Sequence, residues 1–500
     1  MEEGLGRRSL RGGAMLIIAR SVNAIVQIGT LIILARLLSP EDYGLTAMVT
    51  ALTGFGPVLV DLGTRDAVVQ RASITQGEVS TLFWLTAGVG ATFTLMIFLA
   101  GPLIAGFYNE PRLTGIVQVS SLTFVAIGLT AQHEALIRRA GMFRELAIVG
   151  TVASVLSAAV AIVMAYFGLG YWTLVTRPVV MYSLTAAGIW WYCRWLPRKP
   201  ALTPGVKPMV KFGLNLSGFT VTDFIGRNSD RVVIGRGLGA RVLGYYQNSF
   251  LIYENLLDVL VVSVHQVAVS SLSKLQHDLA ELRRAWGKAL STISFYTMPA
   301  FGLLAVVSAD LIVLVLGPKW APSGALLSVL ALRGIPHSAE RTLGWLHVAS
   351  GRTDRWFRWG LLTTSIQLIA VLSAIPFGAF GIAWAQVLMM YTLFVPTLAY
   401  AGRPLGIGAR EVIGVTRAPL ISAVCAAGVG FLVRASLPAG MPSVERIPVL
   451  ALTYLAVYLA IVVGAFRLTT PLQVGLSLLK DLRPRSQALV VNPTAPGAHE

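Results

Sequence analysis

Apolar runs of about twenty residues, separated by short stretches rich in proline, glycine and arginine, recur along the whole chain. A hydrocarbon layer about 30 Å thick is crossed by roughly 20 helical residues. On that length the pattern predicts fourteen membrane-spanning helices: 14–35, 45–63, 79–101, 115–137, 146–168, 171–193, 209–235, 246–270, 286–308, 324–347, 359–378, 380–400, 412–434 and 447–467. Breakers mark the connectors at Ser39-Pro40, Pro111, Pro197 to Pro208, Pro318, Pro376, Pro404 and Pro438. Arg7, Arg8 and Arg11 precede a first run that is too long for a cleavable signal and lacks a small-residue cleavage site, so it is expected to stay as an anchor. The expected fold class is all-α integral membrane.

Composition agrees. By length the 500 residues could form three or four soluble domains, yet only 13% are charged, against a usual share of about a quarter. Lys and Arg outnumber Asp and Glu by 40 to 23. In a membrane chain such an excess collects in cytoplasmic loops, so no nucleic-acid partner is expected. With an even helix count, 27 Lys and Arg fall on the side of the termini and 7 on the other. Both termini are therefore expected in the cytoplasm. Cys193 and Cys425 form no metal-ligand pattern and read as two buried thiols.

The longest basic, proline-marked connector divides the chain. It predicts a first six-helix lobe at 1–193, a cytoplasmic linker at 194–208 and a second lobe at 209–400. Two further helices at 401–470 and a disordered cytoplasmic tail at 471–500 complete the expectation. Six is even, so the second lobe repeats the orientation of the first. A shift of 200 residues aligns Arg36 with Arg236 and Gly44 with Gly244, and sets Asn23, Gln27 and Thr30 on Asp223, Arg227 and Asp230. Two parallel halves place a site near the midplane between them.

Charges inside spans are informative, since each costs about 2.5–3.5 kcal/mol at the bilayer centre unless it faces protein or water. Asp223, Arg227, Asp230 and Arg231 follow one helical face of the seventh span. Arg333, His337, Glu340 and Arg341 do the same in the tenth. Arg20, Asn23 and Gln27 repeat the pattern in the first, and Glu254 and Asp258 sit one turn apart in the eighth. These faces are expected to line one aqueous cavity, the alternative being ion pairs that hold helices together. A cavity of both signs suits an anionic headgroup on the arginines and a coupling cation on the carboxylates.

The run Leu34-Ala-Arg-Leu-Leu-Ser-Pro-Glu-Asp-Tyr-Gly44, followed by Asp61-Leu-Gly63, resembles the opening of Wzx-type polysaccharide flippases of the multidrug/oligosaccharidyl-lipid/polysaccharide exporter superfamily. Leu316-Gly-Pro-Lys-Trp-Ala-Pro322 and the Asp230-Arg231 pair leading to Gly235 resemble the same family. The resemblance spans roughly residues 8 to 470. It implies two pseudo-symmetric six-helix lobes, a cationic cavity, two extra C-terminal helices, and alternating access that moves an undecaprenyl-pyrophosphate-linked oligosaccharide outward across a bacterial inner membrane. It further implies that arginines on the first helix of each lobe, here Arg20 and Arg227 or Arg231, meet the lipid headgroup. No acidic motif transfers residue by residue, so the coupling ion stays open between proton and sodium, and no other cofactor is expected. Partners would be the lipid-linked oligosaccharide, membrane lipids and polysaccharide polymerase machinery. The Ser39-Pro40 turn is expected to end one helix, with Gly44 restarting the chain.

Enzyme chemistry has little support. There is no Asp-x-Asp, His133-Glu134 lacks a second metal-binding His, and no P-loop is present. The alternatives are a drug or cation exporter of the same superfamily and an integral-membrane polysaccharide polymerase or ligase.

Overall fold

The structure, a computed structural model, describes residues 21–71, 73–200, 206–273, 279–349, 352–438 and 440–468; within them the side chains of 208, 211–223, 225, 261–273, 279, 345, 348, 349 and 353 lie outside the description. Among the described residues there is helix and no strand. In the first half, α1 (Ser21–Leu37) is followed by α2 (Pro40–Thr53), α3 (Gly56–Asp61) and α4 (Thr64–Gln70), then by α5 (Gln76–Tyr108), α6 (Leu113–Arg139), α7 (Phe143–Tyr166) and α8 (Trp172–Cys193). The second half runs through α9 (Val206–Ser273), α10 (Leu279–Leu316), α11 (Ala321–Glu340), α12 (Leu343–Ala349), α13 (Thr353–Ser373) and α14 (Gly378–Gly402). The last two helices are α15 (Ala409–Ser436) and α16 (Ser443–Leu459), which ends in a π-turn.

Eight helical segments among the described residues are long and apolar enough to cross a membrane. Helix also lies on each of the remaining predicted spans, in segments that are shorter, less apolar or bent. One boundary differs from the sequence reading. Ser39-Pro40 begins a helix: Ser39 and Asp42 form a capping box, with Pro40 in the first turn. Spans seven and eight are the two helical arms of α9, which meet at Gly239, where a φ of 83° favours a residue without a side chain. The outer surface carries exposed leucines such as Leu99, Leu103, Leu432 and Leu452. In an aqueous protein that surface would be a liability; against lipid tails it is the expected finish.

α5 to α8 pack as one bundle, and α9 packs with α10, α11, α13 and α14 as a second. α15 and α16 lean on α10, where Asp310 holds Arg434 at 2.9 Å and Arg446 at 3.1 Å. The linker after α8 is strapped to the first bundle. Trp195 Nε1 donates to Gln76 Oε1 at 2.7 Å, and Trp84 Nε1 donates to the Arg198 carbonyl at 2.9 Å.

The bundles meet along α2 and α9 at a seam with two-fold character. A Cβ on Gly44 would stand 1.7 Å from the Ala240 carbonyl oxygen, and one on Gly244 would stand 1.7 Å from that of Pro40. Gly44 is therefore a contact residue inside α2, where the sequence reading had it restarting the chain after a turn. Beside the seam, Arg36 Nε and Nη2 donate to the Val315 and Leu314 carbonyls at 3.0 Å each. In return Lys319 Nζ donates to the Arg36 and Leu38 carbonyls at 2.8 and 2.7 Å, and Trp320 Nε1 to that of Ala35 at 2.7 Å. Arg36 has a mate 200 residues on: with its amide oriented for bonding, Asn109 at the end of α5 accepts from Arg236 Nη1 at 3.3 Å.

Valine at Gly44 or Gly244 should force these backbones apart, at a cost of about 1–3 kcal/mol or more for overpacking. Thermal unfolding in detergent should show each single variant destabilised. The double variant should lose less than the sum, because both press on one seam. Strict additivity would show that the two glycines do not share a contact.

Candidate functional site

A cavity of about 650 Å³ lies inside the second bundle, lined by residues of α9, α11, α12, α13 and α14 and by Arg341. Arg227 and Arg231 reach it from the first arm of α9, Glu254 and Asp258 from the second, and Arg333, His337 and Glu340 from α11. These are the faces that the four- and seven-residue spacings marked, now brought together by the bend at Gly239 and by the packing of α11 on α9.

The charges are tied down to different degrees. Arg341 Nη2 meets Glu254 Oε2 at 3.3 Å. Arg231 hydrogen-bonds Asn228 and lies over the Phe250 ring at 4.3 Å. Arg333, only 9% exposed, donates from Nη1 to Gln386 Oε1 at 2.8 Å and faces the Tyr253 ring at 5.7 Å. The Nε donors of Arg231, Arg333 and Arg341 are buried without an acceptor. Arg227 and Asp258 are exposed along the cavity, and Glu340 is half-buried there.

Asp230 is set apart from its neighbours. It is 1% exposed and does not line the cavity. Its Oδ2 accepts from the Tyr246 hydroxyl at 2.6 Å and from Gln386 Nε2 at 3.1 Å, while Gln386 Nε2 also donates to the Tyr246 oxygen at 2.7 Å. Asp230 and Arg333 are thus joined through one amide, an arrangement that satisfies a buried carboxylate without direct contact between the charges.

The first-half candidates sit elsewhere. Asn23 Nδ2 donates to Thr151 Oγ1 at 3.4 Å within its own bundle and does not line the cavity. Arg20 and the Asp223 side chain lie outside the described residues. Among the described side chains the charged groups converge within one bundle, whereas the sequence reading placed the site between the two. Sequence reasoning also missed Trp356, Trp359, Thr363, Thr364 and Gln367, which form the α13 wall. The signal was present as an aromatic and polar stripe at helical spacing. Arg177, a half-buried arginine within α8, was passed over as well.

The profile of a family described as "Polysaccharide biosynthesis protein" matches residues 33–325, which include the 34–44 run and the 316–322 run. The chain is 27% identical over 346 residues to the lipopolysaccharide biosynthesis protein WzxC of Escherichia coli (strain K12), covering 68% of this chain and 70% of that one. It is also 27% identical, over 358 residues and 70% of both chains, to the succinoglycan biosynthesis transport protein ExoT of Rhizobium meliloti (strain 1021). The fold is similar to that of the lipid II flippase MurJ in an inward closed conformation. That match has a TM-score of 0.72 at 15% identity, over 91% of this chain and 99% of that one.

Replacing Gln386 by leucine should remove one hydrogen bond from Asp230 and one from Arg333, each a bond to a charged group and each costing roughly 1.5–3 kcal/mol. Tyr246→Phe removes one bond to the carboxylate and should cost roughly 1.5–3 kcal/mol. Unfolding midpoints of the two variants in the same detergent should rank them in that order. The reverse order would show that Gln386 does not bridge the two charges.

Proposed function

The chain belongs to the polysaccharide biosynthesis protein family, and we propose that it carries a lipid-linked oligosaccharide across the membrane as a transporter, not an enzyme. The observation that supports this reading is the second-bundle cavity, which is lined by Arg227, Arg231, Arg333 and Arg341. Four guanidinium groups around one cavity call for an anion, and a (pyro)phosphate supplies several oxygens that their planar forks can bind bidentately. The name of ExoT includes transport and that of MurJ a lipid flippase, which fits a prenyl-diphosphate substrate such as an undecaprenyl-pyrophosphate-linked sugar chain.

The protein is a multi-pass membrane protein. We place it in the bacterial inner membrane with both termini in the cytoplasm, on the 27 to 7 distribution of Lys and Arg. In that orientation the Gly44–Gly244 seam and the Arg36 and Lys319 contacts lie at the outer end, and outward release requires them to part. Transport is secondary, since no P-loop is present. Glu254, Asp258 and Glu340 share the cavity with the arginines, so protonation or sodium binding there would be linked reciprocally to phosphate binding. The product on the outer face would be the substrate of a polymerising system.

Two measurements test this. In proteoliposomes with a fluorescent prenyl-diphosphate-linked sugar, Arg227→Lys should be impaired and Arg227→Ala inactive, both at normal membrane levels. Wild-type transport should respond to an imposed proton or sodium gradient, and Glu254→Gln should lose that response. Transport indifferent to every gradient would defeat the coupling, and loss of protein in place of activity would make Arg227 a structural residue. For topology, a cysteine replacing Ser436 should react with an impermeant maleimide from outside whole cells, while one replacing Ala280 should not. Reversed labelling would overturn the orientation.

A further inference from the structure

Among the described side chains, the charges lining the cavity come from α9, from α11 and from Arg341 just after it; the facing helix, α13, contributes Trp356, Trp359, Thr363, Thr364 and Gln367 and no charge. We propose that this α13 wall is a carbohydrate-binding face, on which the sugar attached to the diphosphate stacks against Trp356 and Trp359 while its hydroxyls bond Thr363, Thr364 and Gln367. The inference rests on the transport reading above and names the part of the substrate that this wall selects.

Four observations carry it. The residues recur at i, i+3, i+7, i+8 and i+11, a single stripe on one helix face, and that stripe is turned to the cavity. A pyranose has an apolar C–H face and a polar rim, so it needs a flat aromatic surface with hydroxyl and amide groups beside it; a diphosphate needs the opposite, and finds it on the arginine wall. The indoles are already held in place: Trp359 stacks on Tyr400 at 4.6 Å and donates from Nε1 to Thr397 Oγ1 at 3.2 Å, and Trp356 lies parallel to His347 at 5.8 Å. Rings fixed in advance lose little entropy on binding. The spacing between the walls is set at Gly226, where a Cβ would stand 2.9 Å from Thr364 Oγ1 and whose carbonyl accepts from Gln367 Nε2 at 3.4 Å. A site for bare phosphate would need the arginines alone. A site for an apolar cation would not set four arginines opposite its aromatic groups.

Two probes separate these cases: farnesyl diphosphate and its glucosyl ester, titrated by equilibrium binding against the full-length protein in nanodiscs. Wild type should bind the glucosyl ester about tenfold tighter. The Trp356→Leu, Trp359→Leu double variant should lose that preference and keep its affinity for farnesyl diphosphate. Phenylalanine at both positions should restore most of the preference. Because Trp359 also packs on Tyr400, Thr363→Val, at a lining hydroxyl whose bonds stay within its own helix, provides an independent check, and about a threefold loss for the glucosyl ester alone is expected. Arg227→Gln should weaken both probes alike. Equal wild-type binding of the two probes would overturn the carbohydrate face while leaving the anion site standing, as would an equal loss of both in the double variant. Failure of wild type to bind either probe would overturn the transport reading and this inference together.

Discussion

Helix ends govern this protein. The last carbonyls of any helix lack partners within it, and in an environment without water each must find one elsewhere. Here α1 and α10 solve the problem for each other. Arg36, at the end of α1, donates to carbonyls in the last turn of α10, while Lys319 and Trp320, just beyond α10, donate to carbonyls at the end of α1. Cations at helix C-termini also face the negative end of the dipole. Burial pulls the Lys319 ammonium below its usual pKa, but two carbonyl partners oppose the loss of its charge. The two sequence runs that resemble one family, 34–44 and 316–322, are the two sides of this contact. They lie nearly three hundred residues apart in the chain and fold against one another.

The seam beside them depends on the same economy of space. Backbones approach at Gly44 and Gly244 to distances that no side chain allows, a small-residue contact of the kind that joins helices where lipid removes the hydrophobic drive between them. Gly44 meets Ala240 as Gly244 meets Pro40, so the 200-residue repeat, faint as identity, is plain as geometry. A repeat need only preserve what its interface requires, and this interface requires absent side chains and one arginine per half.

Legibility followed the cost of misplacing a residue. Charged side chains in an apolar helix are expensive wherever they do not face protein or water, and the helical spacing of Arg227, Arg231, Arg333 and Arg341 is therefore plain in the sequence itself. Asp230 shared their face in the sequence, yet one step of rotation turns it behind the wall toward Tyr246 and Gln386. Periodicity resolves a face of a helix but not the two sides of that face. The α13 stripe escaped because Trp, Thr and Gln carry no charge and cost little in a membrane interface. Ser39-Pro40 misled because proline that cannot continue a helix is equally suited to start one. Eight spans among the described residues were plain from apolarity alone, and the break between the two arms of α9 falls at Gly239, inside the gap left between spans seven and eight.

The cavity and the seam are not independent, because α9 carries both. Arg227 and Arg231 face the cavity from its first arm, and Arg236 at the end of that arm reaches Asn109 of the first bundle. At 1.5 Å per residue, Arg227 and Arg236 are separated by about 13 Å of one rod. Gly235 fills the gap between them against Tyr108 and Met48, with no room for a Cβ. A helix packed in this way shifts as a unit or bends where its backbone already departs from helical geometry, and in α9 that point is Gly239. Parting the bundles at Gly44 and Gly244 must therefore either carry Arg227 and Arg231 along or change the angle between the arm that holds them and the arm that holds Glu254 and Asp258. The first movement alters the distances from α9 to Arg333 and Glu340 of α11, and the second those between the two arms of α9. The site and the contact between the two halves of the molecule thus share one element, α9.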